Sequence, residues 1–237
     1  MNTNKKVSAF DKPYSEEVAR LYIMSFFPEF QWNLKRGEMP DLRDEVLSVG
    51  IEVTAALDKV HGELDHQFEN YVGTEKSNVP QTLLKKINKK YLVFNDDHGK
   101  ETLCGCVITD ISPCTESIPK AVERKLHKLR SYESYNTQGV LVDEGTGFCI
   151  EEQIVEIVNA VQALQKETAP SFDYLFVKTI HAIYCCDLSS GMYKKVIVTD
   201  EDREQIRMQA IRNLGREQIY ENEAKEWRKR VESNYEK

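Results

Sequence analysis

The sequence predicts an α/β fold, a mixed central sheet flanked by helices on both sides. Three observations predict it. Short β-branched and aromatic runs (Gly139–Val142, Phe172–Val177, Ala182–Cys186) are too brief for helices and bounded by turn residues. Segments such as Glu151–Gln165 carry Ile154, Ile157, Val158 and Val161 on one helical stripe. The two kinds of segment are intermixed without strict strand–helix–strand alternation, so the sheet is expected to be mixed.

In chain order, residues 1–13 read as a polar tail. Ser15–Phe30 reads as a helix capped by Ser15, with Glu16 and Glu17 in its first turn and Val18, Leu21, Tyr22 and Phe26 at helical spacing. Pro40–Val46 and Val49–Ala55 read as paired strands. Asp58–Tyr71 and Pro80–Lys90 read as helices, the second with proline in its first turn. Thr102–Ile111 reads as a strand, Ile118–Leu129 as a helix, and Tyr193–Val198 as a last strand joined to its predecessor by Ser189-Ser190-Gly191. The tail from Asp200 to Glu236 reads as a long charged helix broken near Gly215. Its stripe of Ile206, Ala210, Leu214, Tyr220, Ala224, Trp227 and Val231 suits packing on its own domain or a homodimer contact. The expected organisation is the tail, one α/β domain over 14–199, and a helical extension over 200–237.

Composition excludes several classes. The 237 residues are 41% hydrophobic and 30% charged, enough apolar content for a core. No apolar run approaches the roughly 18 residues of a membrane span, and no signal-peptide core follows Met1–Lys6. Six cysteines in a chain of this length fit reduced thiols and a cytoplasmic protein with no membrane association. The net charge of −7 argues against a general nucleic-acid coat. Basic residues are nonetheless local: Lys85, Lys86, Lys89 and Lys90 form one cluster, and Lys120, Arg124, Lys125, Lys128 and Arg130 another. Each is either a solvated helix face or a phosphate-binding surface. Tyr132 and Tyr135 follow the second and suit base stacking or ordinary packing.

Other chemistries find little support. His61 and His66 lack the i, i+4 spacing of a zinc protease helix. Cys104, Cys106 and Cys114 have no second pair at zinc-ribbon spacing, and Cys185-Cys186 would point to opposite faces of a strand. No phosphate-binding loop, dinucleotide fingerprint or nucleophile elbow is present.

The informative stretch is Glu38-Met39-Pro40-Asp41 through Gly50-Ile51-Glu52-Val53-Thr54. A hairpin turning at Leu47-Ser48 would place Val46 opposite Val49, Arg43 opposite Glu52 and Leu42 opposite Val53. That register sorts Leu42, Val46, Val49, Ile51 and Val53 onto one face and Asp41, Arg43, Glu52 and Thr54 onto the other. Asp44 is its exception, stranded on the apolar face. Asp41 and Glu52 become diagonal neighbours, close enough to share one hard cation. An ordinary half-exposed hairpin with a polar outer face explains the same alternation.

Pro40-Asp41 followed by Glu52-Val53-Thr54 resembles motifs II and III of the restriction-endonuclease-like, or PD-(D/E)xK, nuclease superfamily, in a little-characterised bacterial and phage branch. The order of elements over residues 14–145 is similar: a helix, the motif hairpin, a strand, a basic helix, a strand. The resemblance implies a restriction-endonuclease-like fold, with Asp41, Glu52 and the Val53 carbonyl as ligands of Mg²⁺ or Mn²⁺. It implies phosphodiester hydrolysis, of DNA ahead of RNA. The superfamily's lysine, two residues after the glutamate, is Thr54 here. In some branches a lysine from the following helix reaches the same space, which makes Lys125 the candidate and Lys128 the second choice. Glu38 and Thr54 are candidate accessory groups, and Glu16 or Glu17 candidates for a further first-helix acid. Lys85, Lys86, Lys89, Lys120 and Arg124 are the candidate phosphate contacts. Without a replacement lysine, the same fold would serve as a non-catalytic binding or assembly module.

Overall fold

In the computed structural model, the described residues are 11–56, 75–81, 92–97, 100–106, 113–129, 131, 135–145, 149–166 and 169–235. The chain divides into two units: Met1–Leu57 with Pro113–Tyr220, and Asp58–Ser112 with Glu221–Lys237. The expected continuous 14–199 domain is thus interrupted in sequence between the motif hairpin and the basic helix.

In the first unit, the elements are α1 (Lys12–Phe26), β1 (Lys35–Arg36), β2 (Leu42–Asp44), β3 (Val49–Ala55) and α2 (Cys114–Leu129). They continue with β6 (Thr137–Asp143), α3 (Glu151–Gln165), β7 (Tyr174–Lys178), β8 (Ala182–Asp187), β9 (Tyr193–Ile197) and α4 (Asp200–Asn213). The second unit contributes β4 (Leu92–Asp97) and β5 (Lys100–Cys106), an antiparallel pair. A last helix, α5 (Glu217–Tyr235), follows α4 after Gly215, whose φ of +62° lets the backbone turn where the sequence predicts the break.

The sheet runs β1-β2-β3-β6-β7-β8-β9. Its centre is parallel (β3, β6, β7) and both flanks are antiparallel, so it is mixed as expected. The helices between the parallel strands, α2 and α3, cover one face through Ile118, Val122, Ile154 and Val158 against Val140, Val142 and Val177. α1 and α4 cover the other through Ala19, Ile23 and Ile206 against Ile51, Leu141 and Phe176. Val140, Leu141 and Val142 thus serve two cores in turn, as strand alternation requires. A fully covered parallel centre also explains why these strands read as continuous apolar runs.

Several expectations shift. α1 starts earlier than Ser15: Asp11 caps it, accepting from the Tyr14 N–H at 3.3 Å, and Pro13 sits in its first turn. β4 was not anticipated, and of the expected Thr102–Ile111 strand the part to Cys106 is seen within β5 beside it, while residues 107–111 lie outside the described residues. Asp58–Tyr71 and most of Pro80–Lys90 lie outside the described residues, with Lys85, Lys86, Lys89, Lys90, His61 and His66. The extension begins later than Asp200. α4 belongs to the first unit and buries Ile206, Ala210 and Ile211, which uses part of the stripe on its own domain. Among the described residues no helix is long and apolar enough to cross a membrane.

Candidate active site

The motif hairpin turns through a longer loop than the sequence reading predicts, with residues 45–48 between the paired strands. Leu42 pairs with Ile51, Arg43 with Gly50 and Asp44 with Val49. The register differs from the expected one by two, so the two faces keep their composition while the partners change. Two residues explain the shift. Asp44, expected to be stranded, closes the turn: Oδ1 accepts the Val46 and Leu47 N–H groups at 3.0 and 3.1 Å, and Oδ2 accepts Asn33 N–H at 2.7 Å. Those three bonds hold its pKa low against burial. Ser48 takes a positive φ of 52°. Val46, expected on the apolar face, is therefore in the turn and 92% exposed.

Gly50 lets the hairpin close on its neighbours. A Cβ there would lie 2.9 Å from Pro40 Cγ and 3.0 Å from the Tyr135 ring. Tyr135 is thus a half-buried packing group beside the hairpin rather than an open stacking platform, while Tyr132 lies outside the described residues.

Asp41 precedes β2 by one residue, at the level of Glu52. Its Oδ2 accepts the Val53 N–H at 2.9 Å. Within a strand the N–H and C=O of one residue leave the same edge, so the Val53 carbonyl faces the Asp41 side. Glu52 points from β3 toward α2. Both carboxylates are buried, at 3% and 2% exposure.

Lys125 comes to them from α2. Its Nζ lies 2.8 Å from Asp41 Oδ2 and 2.5 Å from Glu52 Oε2. The helix places it there because Val122, Leu126 and Leu129 pack against the sheet, leaving Lys125 at the edge of that buried stripe. Lys128 is exposed instead, with its carbonyl accepting from Ser131. Lys120 is exposed and pairs with Glu116 at 3.4 Å, while Arg124 is exposed and donates to the Ala55 carbonyl at 3.3 Å. Glu38 is exposed in the bend before Asp41, and Thr54 lines a cavity with Val53 and Ala55.

A second lysine enters from α1. Lys12 Nζ lies 3.1 Å from Asp41 Oδ1 and 2.9 Å from Glu16 Oε1. Asp41 therefore stands between two ammonium groups, and Glu16 joins the site through Lys12. Glu17, the other candidate acid, is committed elsewhere: Arg20 and Asn213 bind its carboxylate at 2.6 and 2.7 Å. Lys12 was overlooked because it falls in the expected tail. Asp11-Lys12-Pro13, a cap followed by an early proline, was the available signal, with Glu16 one turn on.

The electrostatics are divided between the two carboxylates. Burial pushes Asp41 upward, but the Lys125 hydrogen bond, the Val53 N–H and Lys12 together hold its pKa below the ordinary value. Glu52 goes the other way: burial, aided by the neighbouring Asp41 charge, outweighs Lys125 and raises it. Burial disfavours the Lys125 charge, yet Glu52 and Asp41 overcome it and raise its pKa. Glu52 Oε1 is buried with no hydrogen-bond partner, an expensive arrangement unless something occupies it.

That oxygen bears on whether a divalent cation fits. Among the described residues no cluster of three or more His, Cys, Asp and Glu is present. Mg²⁺ characteristically takes one or two carboxylates and completes its shell with water and substrate phosphate. Asp41, the free oxygen of Glu52 and the Val53 carbonyl are oxygen donors of that kind, although both Asp41 oxygens now accept from Lys12, Lys125 or the Val53 N–H.

The described cysteines are ordinary. Cys114, Cys149, Cys185 and Cys186 are buried free thiols, and Cys114 donates to Gln153 Oε1 at 3.0 Å. Comparisons with protein-family models, curated proteins and solved structures return no match to this chain.

Proposed function

We propose that the chain is a metal-dependent nuclease of the restriction-endonuclease-like type, hydrolysing phosphodiester bonds in DNA ahead of RNA. The observation that carries this reading is the meeting of Asp41, Glu52 and Lys125. A motif hairpin lacking the usual lysine is supplied with one from the following helix, at hydrogen-bond distance from both carboxylates. Asp41, Glu52 and the Val53 carbonyl would hold Mg²⁺ or Mn²⁺. Bound there, the ion would activate a water molecule and offset charge on the phosphate. Lys125 aligns the two carboxylates and places a positive charge where the attacked phosphate gains negative charge. Thr54, in the position of the missing lysine, carries a hydroxyl suited only to orienting water. Arg124, which reaches from α2 to the Ala55 carbonyl at the end of β3, and Lys120, on the same helix, would contact flanking phosphates.

The test compares wild type, Glu52→Ala and Lys125→Ala on labelled single- and double-stranded DNA and RNA, with Mg²⁺, Mn²⁺ or EDTA. Metal-dependent cutting removed by Glu52→Ala supports the nuclease. Cutting that survives Glu52→Ala rejects it.

One observation favours a second reading, a non-catalytic binding module. Lys125 and Lys12 already neutralise the carboxylates internally, and a closed buried ion pair can serve structure alone. Calorimetry with Mn²⁺ separates the two readings, since a competent site binds the ion and loses it in Asp41→Ala. A homodimer through the C-terminal helical stripe, on either reading, would use α5, because α4 buries Ile206, Ala210 and Ile211 in its own unit.

A further inference from the structure

Beside the carboxylates lies a cavity of about 260 Å³ lined by Lys12, Ser15, Val18, Val53, Thr54, Leu141, Asp143 and Lys178, among others. It opens at the carboxyl ends of β3, β6 and β7, where parallel sheets place their ligand sites. We propose that this cavity receives one unpaired nucleobase next to the phosphodiester at the carboxylate site. The inference rests on the nuclease reading and narrows its substrate to single-stranded or locally melted nucleic acid.

Four features carry it. The volume holds about nine waters at about 30 Å³ each, enough for one planar heterocycle and below the usual range for larger ligands. Its walls are aliphatic on two sides: Val18 and Ala19 from α1, Val53 and Leu141 from the sheet. A flat ring can slot between such walls, as extruded bases do. Its polar end sets a donor beside an acceptor, with Lys178 Nζ 2.8 Å from Asp143 Oδ2. That pair complements the mixed donor and acceptor edge that every base exposes once its own partner is gone. Finally, Lys12 and Val53 belong to both places. Lys12 lines the cavity and contacts Asp41, and Val53 walls it while its N–H holds Asp41. The cavity and the carboxylates are thus joined through these two residues.

The experiment is saturation-transfer NMR on the full chain in EDTA. The four nucleoside 5′-monophosphates are the probes, and ribose 5-phosphate is the baseless control. Base protons should receive saturation, and ribose 5-phosphate should bind at least tenfold more weakly. Val18→Phe, which fills the slot from a half-buried position, should weaken nucleotide binding at least tenfold while circular dichroism stays native. If that variant is misfolded, Ser15→Phe at the cavity rim replaces it with the same expectation. Equal binding of ribose 5-phosphate, nucleotide binding unchanged in the folded variant, or no nucleotide binding by wild type overturns the proposal. Because no metal or turnover is involved, base binding without cleavage would retire the nuclease and keep the pocket. Glu52-dependent cleavage without base binding would do the reverse.

Discussion

At the residue scale, Lys125 has two measurable roles. On the nuclease reading it would supply charge to the reacting phosphate. Lys125→Ala should then lower kcat about 100- to 1,000-fold, as loss of a well-placed electrostatic donor does, in single-turnover cleavage of a labelled oligonucleotide. As a structural group it neutralises buried carboxylates, and removing one partner of a buried pair costs about 3–5 kcal/mol. Urea unfolding should show that loss. Adding Glu52→Gln to Lys125→Met should restore most of the stability, because Asp41 keeps Lys12, while leaving cleavage abolished. Glu52→Ala should reduce cleavage by more than the 10- to 100-fold typical of a group that only supports a metal ligand.

At the scale of elements, the hairpin depends on close approach. Gly50→Ala would drive a methyl group into Pro40 and the Tyr135 ring. Overpacking of this kind costs about 1–3 kcal/mol. Here it also pushes on the residue before Asp41, so Mn²⁺ affinity measured by calorimetry should fall with the melting temperature. The same hairpin shows what the sequence could reveal. Alternation identified its two faces and brought Asp41 and Glu52 together, because side-chain parity survives a register change of two. It could not set the register itself, because that depends on Asp44 reaching three N–H groups, one of them on Asn33. The helices α2 and α3 were legible from their stripes, and the Gly215 break from residue type. The start of α1, and Lys12 with it, was hidden by a polar stretch that resembles a frayed terminus. The approach of Lys125 to the carboxylates is a tertiary contact; the resemblance suggested it, and no local pattern fixes it.

At the scale of the molecule, Glu17 ties distant parts of the first unit together. Its carboxylate is bound by Arg20 of α1 and Asn213 of α4, with Arg36 of β1 at 3.5 Å. Burial pushes its pKa up, but the Arg20 and Asn213 hydrogen bonds prevail and hold it below 4.5. A depressed folded pKa means the contribution is complete above the unfolded value and disappears as pH falls through the lower folded one. Glu17→Gln should therefore lose about 3 kcal/mol at pH 7 and have a flatter acid limb, measured by urea unfolding from pH 7 to pH 3. Against the chain's net charge of −7 the basic residues of α2 form a distinct surface, so any nucleic-acid binding should weaken with salt.

The sequence separation of 73 between Glu52 and Lys125 also gives the site a history. A ribosome adding about 5–20 residues per second emits the two carboxylates about 4–15 s before the lysine that joins them. During that interval the nascent chain carries the acidic pair with Lys12 alone to offset it, and the contacts of Lys125 wait until α2 is made. A chain stalled or cut within the intervening segment would hold Asp41 with Lys12 alone and Glu52 with no lysine, so on the nuclease reading such products should be inert toward phosphodiesters.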